Sequence, residues 1–167
     1  MKLYLARHGR TNYNDLGFAD PSVDVHLTST GIAQATAFAD KLRDVDIDHI
    51  FISELARTPQ TAEIVNEFHH VNLETDPRLN DIRTDFEGRP FNEYMDILNA
   101  APDKWTARPK DGESVEDMKA RITDFISDLR TKDYNAVVIV MSQWVVRAFA
   151  AILLQLRNEK AWDLEVE

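Results

Sequence analysis

Short apolar runs alternate with longer amphipathic stretches along the chain. The first run, Leu-Tyr-Leu-Ala at 3–6, is followed directly by Arg7, His8 and Gly9. A run of that length predicts a buried strand, and the glycine predicts a sharp turn behind it. A polar loop then leads to a helix within 27–44, where Ile32, Ala35, Phe38, Ala39 and Leu42 share one face and Thr28 is placed to cap the N-terminus. Residues 49–53 read as a second buried strand. Thr58 before Pro59 has the order of a cap and a first turn, and predicts a helix running to about residue 68. A short third strand at 71–75 precedes a loop over 77–88, a weaker helix over 91–99 and a loop with two prolines and a glycine. The strongest helical signal spans 114–132. Val115, Met118, Ile122, Phe125, Ile126 and Leu129 form its stripe, and Ser114 with Asp117 resembles a capping box. Residues 135–142 are continuously apolar, as in a strand buried on both faces of a parallel sheet. The helix over 144–156 is apolar nearly all round, hence central, and 162–167 reads as a closing edge strand.

Strands alternating with helices predict an α/β fold with a mainly parallel sheet. A length of 167 residues with 44% hydrophobic content suits a single domain over 1–167. The net charge of −10 argues against nucleic acid or an anionic membrane as partner. It leaves a small anionic substrate open, because a few arginines outweigh a diffuse acidic surface at short range. Cysteine is absent, which excludes disulfides, thiolate metal sites and a cysteine nucleophile. No apolar run approaches the roughly 18 residues of a membrane span, and the N-terminal run is short for a signal peptide, so the expectation is a cytoplasmic protein.

Ligands of parallel α/β sheets sit beyond the carboxyl ends of the strands. That rule gathers Arg7-His8-Gly9, residues 53–57 and Ser142-Gln143 at one edge. Two arginines and a histidine there either form a tight anion pocket, with guanidinium forks on phosphate oxygens and a nucleophilic imidazole, or pair with surface carboxylates. Spacing alone leaves both open.

Residues 5–14, LARHGRTNYN, resemble the signature of the histidine phosphatase superfamily, in its phosphoglycerate-mutase-like branch, usually R-H-G-[E/Q]-[T/S]-x-x-N. LTSTGIAQA, ISELARTPQTA, RLNDIRTDFEG, DGESVEDMKAR and VIVMSQWVVRA resemble further segments of that family in the same order. The resemblance implies a three-layer α/β sandwich with helices on both faces of the sheet. It also implies phosphoryl transfer through a phosphohistidine, without metal or other cofactor. Carried across, His8 is the nucleophile, and Arg7 and Arg57 grip the phosphoryl oxygens. Asn14, with the backbone at Gly9, adds donors. Asp81 stands where the family has the glutamate that protonates the leaving oxygen and then activates water. It is one methylene shorter, so Asp85 and Glu87 remain alternative acids. Arg10 replaces the usual Glu or Gln, and either contacts an acidic substrate or faces solvent.

Gln143 departs furthest from the pattern, since the family's second histidine belongs there, usually followed by glycine rather than Trp144. An amide still donates to phosphate but carries no charge. A neutral for a charged hydrogen bond implies about 1–2 kcal/mol less transition-state stabilisation, or roughly ten- to thirtyfold in rate. The resemblance therefore implies a phosphomonoesterase acting on a small phosphorylated metabolite with weakened activity. A protein phosphohistidine phosphatase and a degenerate phospholigand-binding member are the alternatives.

Overall fold

The computed structural model describes residues 1–20, 25–110 and 112–166. Four strands, β1 (Lys2–Arg7), β2 (His49–Ile52), β3 (Leu73–Thr75) and β4 (Ala136–Met141), form one sheet in the order β1-β4-β2-β3. Every pairing is parallel. Arg7 aligns with Met141, and Ile52 with Val140 and Thr75, so the carboxyl ends of the strands share one edge.

All six β4 residues are buried, and their alternation divides the core. Val137, Ile139 and Met141 face α5 (Val115–Leu129) and α6 (Gln143–Leu154), packing with Met118, Ile122 and Phe149. Ala136, Val138 and Val140 face α2 (Ser29–Leu42) and α3 (Arg57–Asn66), packing with Ala39, Leu42, Ala62 and Val65. The result is three layers, with helices on both faces of a parallel sheet. It follows from a central strand with no polar side chain to offer either face.

Local signals are realised unevenly. Thr28 caps α2 through the amide of Gly31, and Ser114 and Asp117 form a complete capping box on α5. Thr58 does not cap α3. The helix begins at Arg57, and the Thr58 hydroxyl turns back to the carbonyls of Ser53 and Leu55. Ile32 is 49% exposed, because Gly31, Ala35, Ala39 and Leu42 form the buried edge of α2 instead. The polar loop after β1 contains a short helix, α1 (Asn12–Leu16), capped by Thr11. No edge strand closes the sheet within 162–166: Trp162 ends a short helix, α7 (Asn158–Trp162), and 163–166 is irregular, while residue 167 lies outside the described residues. Trp162 is held there by ring contacts to Trp105 and Trp144, which outweigh the strand preference of its alternating neighbours. Among the described residues, no helix is long and apolar enough to cross a membrane.

Gly9 serves close approach rather than a left-handed turn. A Cβ at Gly9 would lie 2.4 Å from the Gly31 carbonyl oxygen, and one at Gly31 would lie 2.2 Å from that of Arg10. The two glycines let the start of α2 lie against the chain leaving β1, which fixes the position of His8.

Candidate active site

A cavity of about 490 Å³ opens at the carboxyl edge of the sheet, within the usual range for small-molecule sites. Arg7, His8, Arg10, Asn14, Arg57, Asp81 and Gln143 all line it. They come from the ends of β1 and β4, from α1 and α3, and from the loop after β3.

His8 lies at its base, 4% exposed, with its backbone N–H donating to the Met141 carbonyl at the end of β4. Its Nδ1 is 2.9 Å from the Gly9 carbonyl oxygen, and its Nε2 accepts from Arg57 Nε at 3.2 Å. That pattern assigns the proton to Nδ1 and leaves the lone pair on Nε2. Burial lowers the imidazole pKa to about 3, helped by the neighbouring Arg57 and Arg7 charges. The ring is therefore neutral near neutral pH, as a nucleophile must be.

Arg57 is 1% exposed and reaches both His8 and the Asp81 carboxylate, the latter at 3.3 Å. Arg7 is partly buried, and burial lowers its pKa from the ordinary guanidinium value. Asp81 is partly exposed, with its second oxygen accepting from the Ile82 amide at 2.9 Å. Of the alternative acids, Glu87 also lines the cavity, whereas Asp85 pairs with Lys110, whose hydrogen bond holds its carboxyl below the usual range. Arg10 reaches the cavity wall and pairs with Asp15 through its guanidinium. The Gly9 amide is not available as a donor, because it is committed to Thr61 Oγ1 at 3.0 Å. Gln143 opens α6, and its N-terminal neighbour Ser142 has a buried hydroxyl with no hydrogen-bond partner among the described residues.

One residue that sequence reasoning passed over lies among these groups. The Asp20 carboxylate accepts from Thr11 Oγ1 at 2.5 Å and from Asn14 Nδ2 at 2.9 Å. It stands 3.7 Å from Arg57 Nε and 3.8 Å from His8 Nε2, with its side chain 7% exposed. An internal anion thus engages groups to which the sequence assigns an external one. Its local signal is thin. Gly17 ends α1 in the left-handed region at φ 70° and turns the chain, and Ala19 then exchanges backbone hydrogen bonds with Gly88 and Arg89 across the cavity rim.

Part of the remaining wall is aromatic. Phe18, Phe91, Tyr94 and Trp144 all line the cavity, and only Trp144 was singled out by its sequence position. Helix α4 (Phe91–Ala100) brings in Phe91 and Tyr94, anchored by a small core of Phe86, Tyr94 and Leu98 against Trp144.

The chain matches the family model described as the histidine phosphatase superfamily (branch 1) over residues 3–167. It is 30% identical to the α-ribazole phosphatase from Shigella flexneri, whose crystal structure superposes with a TM-score of 0.86 over 100% of this chain and 86% of that one. A mycobacterial glucosyl-3-phosphoglycerate phosphatase in complex with VO3 is 27% identical, with a TM-score of 0.82 over 98% of this chain and 85% of that one. The probable phosphoglycerate mutase of Yersinia pestis (strain Pestoides F) is 33% identical over 132 residues, 73% of this chain. That alignment spans 60% of the mutase, less than two thirds of its length.

Proposed function

Because the chain belongs to the histidine phosphatase superfamily, branch 1, we propose that it hydrolyses phosphate monoesters of small metabolites, with His8 as the phosphoryl acceptor. The observation that carries this reading is the buried, neutral His8, with its Nε2 lone pair turned toward Arg57 at the base of the cavity. In the first step Nε2 attacks phosphorus, the P–O ester bond breaks, and the Asp81 carboxyl gives its proton to the departing oxygen. In the second, water attacks phosphorus, the Asp81 carboxylate takes its proton, and the P–N bond electrons return to Nε2 as phosphate leaves. Arg7, Arg57 and Asn14 hold the phosphoryl oxygens, and Gln143 donates to them through its amide. Phosphate enters at the expense of the Asp20 contacts with Arg57 and Asn14. The concave site, with Phe91 and Tyr94 of α4 in its wall, supports a metabolite over a phosphorylated protein surface. The neighbouring phosphatases support ester hydrolysis over mutase chemistry.

Asp20 and Gln143 together favour a second reading, a protein that binds phosphorylated ligands without turnover. Assaying the chain and its His8→Ala variant against a panel of phosphate monoesters separates the two. Hydrolysis by the wild type that falls to background in the variant supports the phosphatase. Equal hydrolysis by both contradicts it, and phosphate binding with no hydrolysis supports the second reading.

A further inference from the structure

The catalytic groups account for only part of the cavity wall. Trp144 stands where the family pattern carries glycine, so the aromatic surface it contributes is a property of this chain. Its ring is held on several sides: edge-on to Trp162 at 4.9 Å and 86°, edge-on to Phe91 at 6.0 Å and 88°, and tilted against Tyr94 at 5.8 Å. Phe18 joins the same wall, fixed by an antiparallel bridge to Pro90 just before α4. Rings locked by one another in this way present fixed faces and edges, and a flat partner meets them with little reorganisation. Tyr94 adds a second, independent observation. It is 1% exposed and lines the cavity, yet its hydroxyl has no hydrogen-bond partner among the described residues. A buried hydroxyl without a partner is costly, and a ligand acceptor would relieve that cost. Burial raises the phenol pKa, so the group remains a donor.

We propose that Phe18, Phe91, Tyr94 and Trp144 form a leaving-group subsite for a flat aromatic or heteroaromatic ring that offers an acceptor to the Tyr94 hydroxyl. The substrate is then the phosphate monoester of an alcohol carrying such a ring. An aliphatic phosphate would leave both the rings and the hydroxyl unmatched, and a polyol phosphate, whose oxygens could accept from the hydroxyl, would leave the rings unmatched. This specificity rests on the phosphatase reading, but the subsite can be tested without turnover.

Benzylphosphonate and cyclohexylmethylphosphonate carry the same anion on rings of similar size, one flat and aromatic and one puckered and saturated. Calorimetric titration of the wild type is expected to give about three- to tenfold tighter binding of the benzyl compound. That ratio is expected to fall toward one in Trp144→Ala and, should that variant fail to fold, in Phe91→Leu. At least one isomeric pyridylmethylphosphonate is expected to exceed benzylphosphonate and to lose its advantage in Tyr94→Phe. Equal affinity for the two rings in the wild type overturns the subsite, as does a preference that survives both ring substitutions. Failure of every pyridyl isomer to gain overturns the role of Tyr94. Ring preference without hydrolysis of benzyl phosphate would contradict the phosphatase reading and leave the subsite standing.

Discussion

Gln143 lines the cavity at the first position of α6 and offers an amide where the family pattern has an imidazole. In the proposed reaction negative charge concentrates on the phosphoryl group in flight, so a missing cation would cost more in the transition state than in binding. Gln143→His is expected to raise kcat by about ten- to a hundredfold and to change phosphate affinity much less, as steady-state kinetics with phosphate inhibition would measure. Trp144 follows where the family pattern has glycine, so the Gln143→His/Trp144→Gly double variant should be assayed beside it. Asp20 acts in the opposite sense, on binding first. Its carboxylate stands 3.7 Å from Arg57 Nε, close to the groups proposed to hold an incoming phosphate. Removing that charge in Asp20→Asn is expected to tighten inorganic phosphate binding by about tenfold, read by titration calorimetry. Arg7, His8 and Arg57 were legible in the sequence because each sits at a position set by local pattern, a strand end or the start of a helix. Asp20 was not. Its place depends on the Gly17 turn and on the hydrogen bonds that the neighbouring Ala19 backbone makes to Gly88 and Arg89, which leave no periodic trace.

Arg121 of helix α5 reaches the backbone around Asp81. Arg121 donates to the Arg78 carbonyl at 2.6 Å and to the Asp81 carbonyl at 3.1 Å. Its guanidinium is oriented by Glu113, which also accepts from the Arg83 amide at 3.2 Å. These bonds clamp the backbone on either side of Asp81, which makes Arg121 a positioning residue for the proposed proton donor. Arg121→Met is expected to slow alkyl phosphates about tenfold while slowing nitrophenyl phosphate less, because a good leaving group needs little protonation. Equal loss on both esters would assign Arg121 to stability alone. The elements themselves were read well where apolar period and capping agreed, as at α5 with its Ser114–Asp117 box. They were misread where tertiary contacts overrode a local preference. Thr58 abandons the cap for the Ser53 and Leu55 carbonyls, and Trp162 joins an aromatic stack instead of a strand. Helix α1 went unread because five polar-rich residues carry too little apolar period to show.

Across the whole molecule, the parallel order β1-β4-β2-β3 carries the strand ends to a single edge, and burial there has a thermodynamic signature. Burial and the Arg57 and Arg7 charges hold the His8 pKa at about 3, below the ordinary 6.5. Between those values the unfolded chain takes up a proton that the folded chain refuses, so stability present above pH 6.5 is lost as pH falls. Urea unfolding is expected to show the wild type losing about 2 kcal/mol more than His8→Gln between pH 6.5 and pH 5. Parallel losses in the two proteins would mean that His8 is protonated in the folded state. The same buried, neutral imidazole is the basis of the proposed chemistry, and the most direct test is to catch it carrying phosphate. Rapid quenching of the wild type during turnover, followed by peptide mass spectrometry under alkaline conditions, is expected to find a phosphoryl group on His8 that is lost in acid. A phosphoryl group on any other residue, or turnover with His8 never modified, would contradict the account.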